Sequence, residues 1–315
     1  MPRASIIGIA NLTLAAVLGY VTARYALGLE LIASLAVGVA MTATSVGVSL
    51  ASWEEQGLVD THNGRLLLDV AELDDIAGVV LMGLLLAIIP TLQQANGQVW
   101  SILGSTAWNY AIKFTLFAAG CLLFSQYMEK PITHWSRRLE TDSGVMQTML
   151  GLAVLIAAIS GWLGFSMAVG ALFAGLVFSR DPEAVNREAN YEDIYALLAP
   201  FFFIGIGREI ELQALADSWT WGLILAAVAI GTKLVGVGLS AWPLIGRSSA
   251  MLLAVSMVPR AEITMVVAQQ GKQLEVLSEQ LYAALVVVTA ITSLLAPLVL
   301  RPMLRREADR PKAFD

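Results

Sequence analysis

Apolar runs of roughly 20 residues, separated by short polar or turn-forming breaks, recur along the whole chain. They fall near 4–23, 31–51, 66–90, 106–126, 145–161, 164–179, 194–210, 218–242, 250–270 and 280–301. A hydrocarbon layer about 30 Å thick is crossed by a helix of about that length, so the pattern predicts an all-α membrane protein with about ten transmembrane helices. Asn63-Gly64, Asn96-Gly97, Asp181-Pro182 and Pro243 read as turns between runs, and the segment ISGWLGFS separates the fifth run from the sixth. Two runs are interrupted at their centres by small, hydroxylated or helix-breaking residues: VGVAMTATSVGVSLAS over 37–52 and AVSMVPRAEITMVVA over 254–268. Helices that unwind midway expose half-helix ends and free carbonyls to an ion, and Thr42, Thr44 and Ser45 add hydroxyl oxygens beside the first break. Pro259 removes a helical hydrogen bond at the second. Each interrupted run is followed by one long run, 66–90 or 280–301, so the arrangement occurs twice.

Composition agrees with the pattern: 57% of the 315 residues are hydrophobic and 14% charged, outside the range of soluble globular domains. Residues 1–301 form one membrane domain, followed by a short basic tail, 302–315. Ten spans put both termini on one side, and that side collects Arg3, Arg65, Lys130, Arg137, Arg138, Arg180, Arg187, Arg247, Arg301, Arg305, Arg306, Arg310 and Lys312. The opposite loops hold Arg24 and Lys272. The positive-inside rule therefore predicts a multi-pass inner-membrane protein with cytoplasmic N- and C-termini. Cys121 has no partner for an intrachain disulfide. His62 and His134 fall in loops without metal-ligand spacing or a nucleophile–base arrangement, so neither an enzyme nor a metal or organic cofactor is expected, and no nucleic-acid partner.

The informative charges lie inside the apolar runs, where each costs at least a few kcal/mol unless paired or hydrated. They are Asp69, Glu72, Asp74, Asp75 and Glu262, with Lys113, Arg208, Lys233 and Arg260. LLLDVAELDDIAGVVLMGLLLAI, 66–88, sets four carboxylates in one helix, and Asp74 and Asp75 stand roughly 15 Å from Arg65, near the membrane midplane. A carboxylate there holds a dehydrated cation or a proton but hardly both, which is the requirement for exchange; a structural salt bridge is the plainer alternative. Lys113 lies about one and a half turns from the start of its run, near enough to the interface to snorkel.

Three stretches together resemble a known family: MTATSVGVSLASWEEQGLVDTHNGRLLLDVAELDDIAGVV, PFFFIGIGREIEL, and GTKLVGVGL followed by MVPRAEITMVVAQQG. In order and over nearly the whole chain, they are similar to the membrane domain of the monovalent cation:proton antiporter-2 family, which includes sodium/proton exchangers and potassium efflux exchangers. The resemblance implies an inverted-repeat fold with two crossing discontinuous helices, a homodimer in membrane lipid, and transport of Na+, Li+ or K+ against protons. It implies that Asp75 alternately carries cation and proton with Asp74 beside it, that Lys233 pairs with Asp74, and that Arg260 compensates carbonyl ends at the crossing. Electrogenic exchange is implied as well.

Three departures qualify it. The chain starts inside the helix that in the family follows further N-terminal spans, so part of the dimerisation side is expected to be missing. Asp69 and Glu72 replace small or apolar residues, and either attract cations to a cytoplasmic funnel or pair with Arg65. Asp74-Asp75 stands where the potassium efflux branch carries Gln-Asp, which favours the sodium/proton branch. The rival readings are a sodium-coupled organic solute symporter of related fold, whose ion ligands would be more neutral, and a truncated paralogue that does not transport.

Overall fold

The structure, a computed structural model, describes residues 2–94, 99–129, 131, 132, 134, 143–178 and 191–308. Asn96-Gly97, Asp181-Pro182 and the basic residues Lys130, Arg137, Arg138, Arg180, Arg187, Arg310 and Lys312 lie outside them. The helices, in chain order, are α1 (Pro2–Val21, continued by a π-helical turn Thr22–Ala26), α2 (Leu31–Ala40), α3 (Val46–Glu54), α4 (His62–Gln94), α5 (Val99–Tyr127) and α6 (Ser143–Trp162). They continue with α7 (Met167–Phe178), α8 (Tyr191–Arg208), α9 (Leu212–Ile245), α10 (Arg247–Ser256), α11 (Glu262–Gln273) and α12 (Glu279–Ala308). The fold is all-helical, and the two interrupted runs are broken helices, α2/α3 and α10/α11. Arg3–Ala26, Gln213–Ile245 and Glu279–Ala308 are long and apolar enough to cross a membrane.

Several boundaries differ from the expectation. Asn63-Gly64 lies in the first turn of α4, and α4 continues through Gly78 and Pro90. Pro243 lies in the last turn of α9, which ends at Gly246 (φ 80°) rather than at the proline. Proline there costs one intrahelical donor, and α9 runs only two residues beyond it. Helix α5 begins at Val99, not near 106, which puts Lys113 about four turns into the helix rather than one and a half.

The contacts divide the chain into two units. The first comprises residues up to Met82 and from Arg208 onward. Its core sets Trp53 among Ile7, Leu67, Val70, Leu253, Met257, Leu300 and Leu304. Helices in lipid gain most from close backbone approach at small residues. A Cβ at Gly236 would lie 3.1 Å from the Asn11 Cα, so glycine lets α9 seat directly on α1.

The second unit is Gly83–Gly207. Rings from α5, the α6–α7 turn and α7 cluster there, with Phe165 edge-on to Tyr110 (centroids 5.1 Å) and Phe173 packed 5.4 Å from Phe117. The α6–α7 turn passes through Gly164 at φ 90°, a conformation that suits glycine, and the Ser166 hydroxyl caps α7 by accepting from the Ala168 N–H at 3.1 Å.

Candidate functional site

Breaking two helices in an apolar interior leaves carbonyls that must find donors. The two breaks supply one another. The Ala40 carbonyl, at the end of α2, accepts from Thr264 Oγ1 of α11 at 2.9 Å. Its counterpart, the Ser256 carbonyl at the end of α10, accepts from Ser49 Oγ of α3 at 2.6 Å. Trp53 Nε1 then donates to Ser256 Oγ at 2.9 Å. Between these caps the Ser45 N–H donates to the Pro259 carbonyl at 2.8 Å, and Arg260 Nη1 donates to the Ala43 carbonyl at 2.6 Å. Arg260 is fully buried, and α12 holds its backbone: its N–H donates to Thr292 Oγ1 at 3.2 Å, and its carbonyl accepts from Ser293 Oγ at 3.3 Å. The guanidinium thus brings a positive charge to the crossing, although among the described residues its Nε and Nη2 have no hydrogen-bond partner.

Asp74 of α4 sits beside the first break, with its carboxylate 0% exposed. Its Oδ1 accepts from Asn11 Nδ2 of α1 at 2.7 Å. Its Oδ2 accepts from the Thr44 hydroxyl and, at 2.9 Å, from Lys233 Nζ of α9. The same ammonium donates to the Thr42 carbonyl at 3.0 Å, so Lys233 ties α9 to α4 and to the break in one step. The pair is wholly desolvated, with both side chains 0% exposed. A desolvated ion pair is tolerated only where its remaining hydrogen-bonding capacity is met, and here both oxygens of Asp74 are engaged.

The neighbouring Asp75 is in a different state. It is half-buried, and among the described residues its side chain makes no hydrogen bond or ion pair. Consecutive residues on a helix point about 100° apart, so Asp75 leaves α4 in a different direction from Asp74 and does not share its hydrogen bonds. Glu72, three positions earlier, neighbours Asp75 on α4, and Asp69 in turn neighbours Glu72 three positions before it; Glu72 is exposed and Asp69 half-buried. Arg65 Nε hydrogen-bonds the Asp60 carbonyl at 3.0 Å. From the second broken helix, Glu262 at the first turn of α11 acts electrostatically on Asp75. The Ser45 hydroxyl is 3% exposed and has no hydrogen-bond partner among the described residues.

Nothing in the sequence singles out Asn11. In ANLTL it is one amide in an apolar run, and its role follows only from α1 packing against α9. Glu262 stood out as an acid in an apolar run, but nothing local to it points to Asp75.

The family described as "Sodium/hydrogen exchanger, transmembrane" matches residues 2–306. Among relatives, the "Na(+)/H(+) antiporter" of Enterococcus hirae is 25% identical over 84% of this chain and 67% of its own length. The "High-affinity Na(+)/H(+) antiporter NhaS3" of Synechocystis is 24% identical over 95% of this chain and 64% of its own length. The "Glutathione-regulated potassium-efflux system protein KefC" of Salmonella arizonae is 27% identical over 89% of this chain and 44% of its own length. The chain therefore spans about two thirds of the first two relatives. In fold it is similar to the sodium proton antiporter MjNhaP1 from Methanocaldococcus jannaschii, with TM-score 0.69 and 15% identity over 98% of this chain and 79% of that one.

Proposed function

The chain belongs to the sodium/hydrogen exchanger family of multi-pass membrane proteins, and on that premise we propose that it is a monovalent cation:proton antiporter of the inner membrane. Na+ is the favoured cation, in keeping with the relatives named as Na(+)/H(+) antiporters. The observation that carries the proposal is the asymmetry of the acid pair. Asp74 is engaged by Asn11, Thr44 and Lys233, while Asp75 beside it lacks a hydrogen bond or ion pair among the described residues. Asp75 takes a cation or a proton in turn, and Thr44 and Ser45 offer hydroxyl oxygens to the dehydrated cation. Asp69 and Glu72 lead along α4 toward Asp75 and attract cations to it. Arg260 keeps the crossing neutral through each half-cycle. The protein works as a homodimer in lipid, with both termini cytoplasmic.

Charge balance gives a stoichiometry. A cation seated between the two carboxylates replaces Lys233 as the counter-charge of Asp74. If the released ammonium then loses its proton, two protons, from Asp75 and Lys233, exchange for one cation. Each uncompensated charge couples to about 2.3 kcal/mol per 100 mV. In proteoliposomes, sodium or lithium gradients are expected to drive proton movement with a transport current, and Lys233→Gln to reduce that current. Exchange with no current and no response to an imposed potential would exclude the two-proton cycle. No cation-dependent proton movement under any gradient would exclude antiport.

A further inference from the structure

Within the second unit, two cavities meet at one lysine. An apolar groove of about 400 Å³ runs between α5 and α6, lined by Leu116, Phe117, Gly120, Phe124, Ile156 and Ile159. A second cavity of about 300 Å³, lined by Asn109, Tyr110 and the α6–α7 turn, adjoins it. Lys113 and Leu163 line both. Along α5 the order is therefore polar pocket, lysine, apolar groove, and the groove follows the helix from Lys113 to Phe124 for about 16 Å.

Lys113 is exposed, and among the described residues it makes no ion pair or hydrogen bond. Asn109, one turn earlier on α5, is a second unmet group: it is exposed, lines the polar pocket and has no hydrogen-bond partner among the described residues, whereas the Tyr110 hydroxyl is buried against Gly83 of α4. The pocket lies level with the turn Leu163–Ser166, where the chain leaves one helix for the next, and such backbone belongs at the water interface rather than in hydrocarbon. Trp162, 88% exposed at that turn, is the kind of side chain that marks that interface. A cation and a polar amide at headgroup depth, continued by an apolar channel running inward beside the helices, match one amphiphile.

We propose that this site binds an anionic phospholipid, with its phosphate held by Lys113 and Asn109 and one acyl chain laid in the α5–α6 groove. Gly120 opens the groove: a Cβ there would meet nothing within 4 Å, so a larger side chain at this position fills the acyl channel without colliding with the protein. Unlike the cation site, this one rests on groups that take no part in the transport reading, so either can fail alone.

The test is native mass spectrometry of the full chain in detergent, titrated with phosphatidylglycerol or with phosphatidylcholine of the same acyl chains. Wild type is expected to retain phosphatidylglycerol preferentially. Lys113→Gln is expected to lower that retention about tenfold, the loss of one charge-assisted hydrogen bond. Asn109→Ala, which removes the amide, is expected to lower it in the same direction. Gly120→Leu is expected to displace both lipids, and Arg305→Gln, an exposed cation elsewhere, to change nothing. Equal retention of the two lipids by wild type, or of phosphatidylglycerol by wild type and both Lys113→Gln and Asn109→Ala, would overturn the proposal. So would equal losses in Lys113→Gln and Arg305→Gln, binding of oleate in place of phospholipid, or a lipid-free groove whose filling by Gly120→Leu splits a dimer.

Discussion

Asp75→Asn is expected to reduce cation-dependent proton movement in everted membrane vesicles to background while the protein inserts and accumulates as wild type does. Asparagine keeps the shape and one ligand oxygen of aspartate but neither its charge nor its titratable proton, so the alternation of cation and proton has no carrier. Insertion is spared because, among the described residues, no hydrogen bond or ion pair depends on the Asp75 side chain. Retained exchange in this variant would remove Asp75 from the mechanism, whatever its effect on expression.

Asp74→Asn is expected to fail differently. It leaves Lys233, 0% exposed, with a neutral amide where its counter-charge was. Breaking a buried pair in this way costs about 3–5 kcal/mol, so thermal unfolding in detergent should shift sharply downward. The double variant Asp74→Asn with Lys233→Gln removes both charges and is expected to recover most of that loss. In molecules that fold, Asp74→Asn should keep more exchange than Asp75→Asn, since an amide still ligates a cation. A double variant no more stable than Asp74→Asn alone would mean that the pair is not what holds α4, α9 and the first break together.

Much of this arrangement is legible in the sequence because the bilayer prices polar groups so heavily. Four carboxylates in 66–88 and a lysine within GTKLVGVGL stand out against apolar neighbours. The same rule locates the breaks, since hydroxyl and small residues at 42–45 and a proline at 259 have little other reason to share the centres of apolar runs. Partners are harder to read than sites. Thr264 and Ser49 are ordinary hydroxyls in helices, and only the crossing reveals that each caps the other broken helix. Asn11 is 63 residues from Asp74 and carries no local signal. Helix ends are hard to read where membrane hydropathy and helical hydrogen bonding part company. Helix α5 extends several residues beyond its apolar run, and α9 runs two residues past Pro243. The correction to α5 matters for Lys113, which the sequence placed near a helix end, within reach of the interface by snorkelling. In the structure it is the α6–α7 turn that sets the level of Lys113.

The claim at the centre of this account is that one carboxylate serves both ions in turn. The measurement that tests it most directly is the half-saturating sodium concentration for exchange in proteoliposomes, determined across a series of pH values. Competition at Asp75 predicts that, on the acidic side of the working range, this concentration rises at least tenfold for each unit that the pH falls, and up to about a hundredfold where Lys233 also releases its proton, because proton and cation binding are linked through the same site. A half-saturating concentration that stays constant while only the maximal rate changes with pH would contradict it, since sodium and the proton would then be held at separate sites.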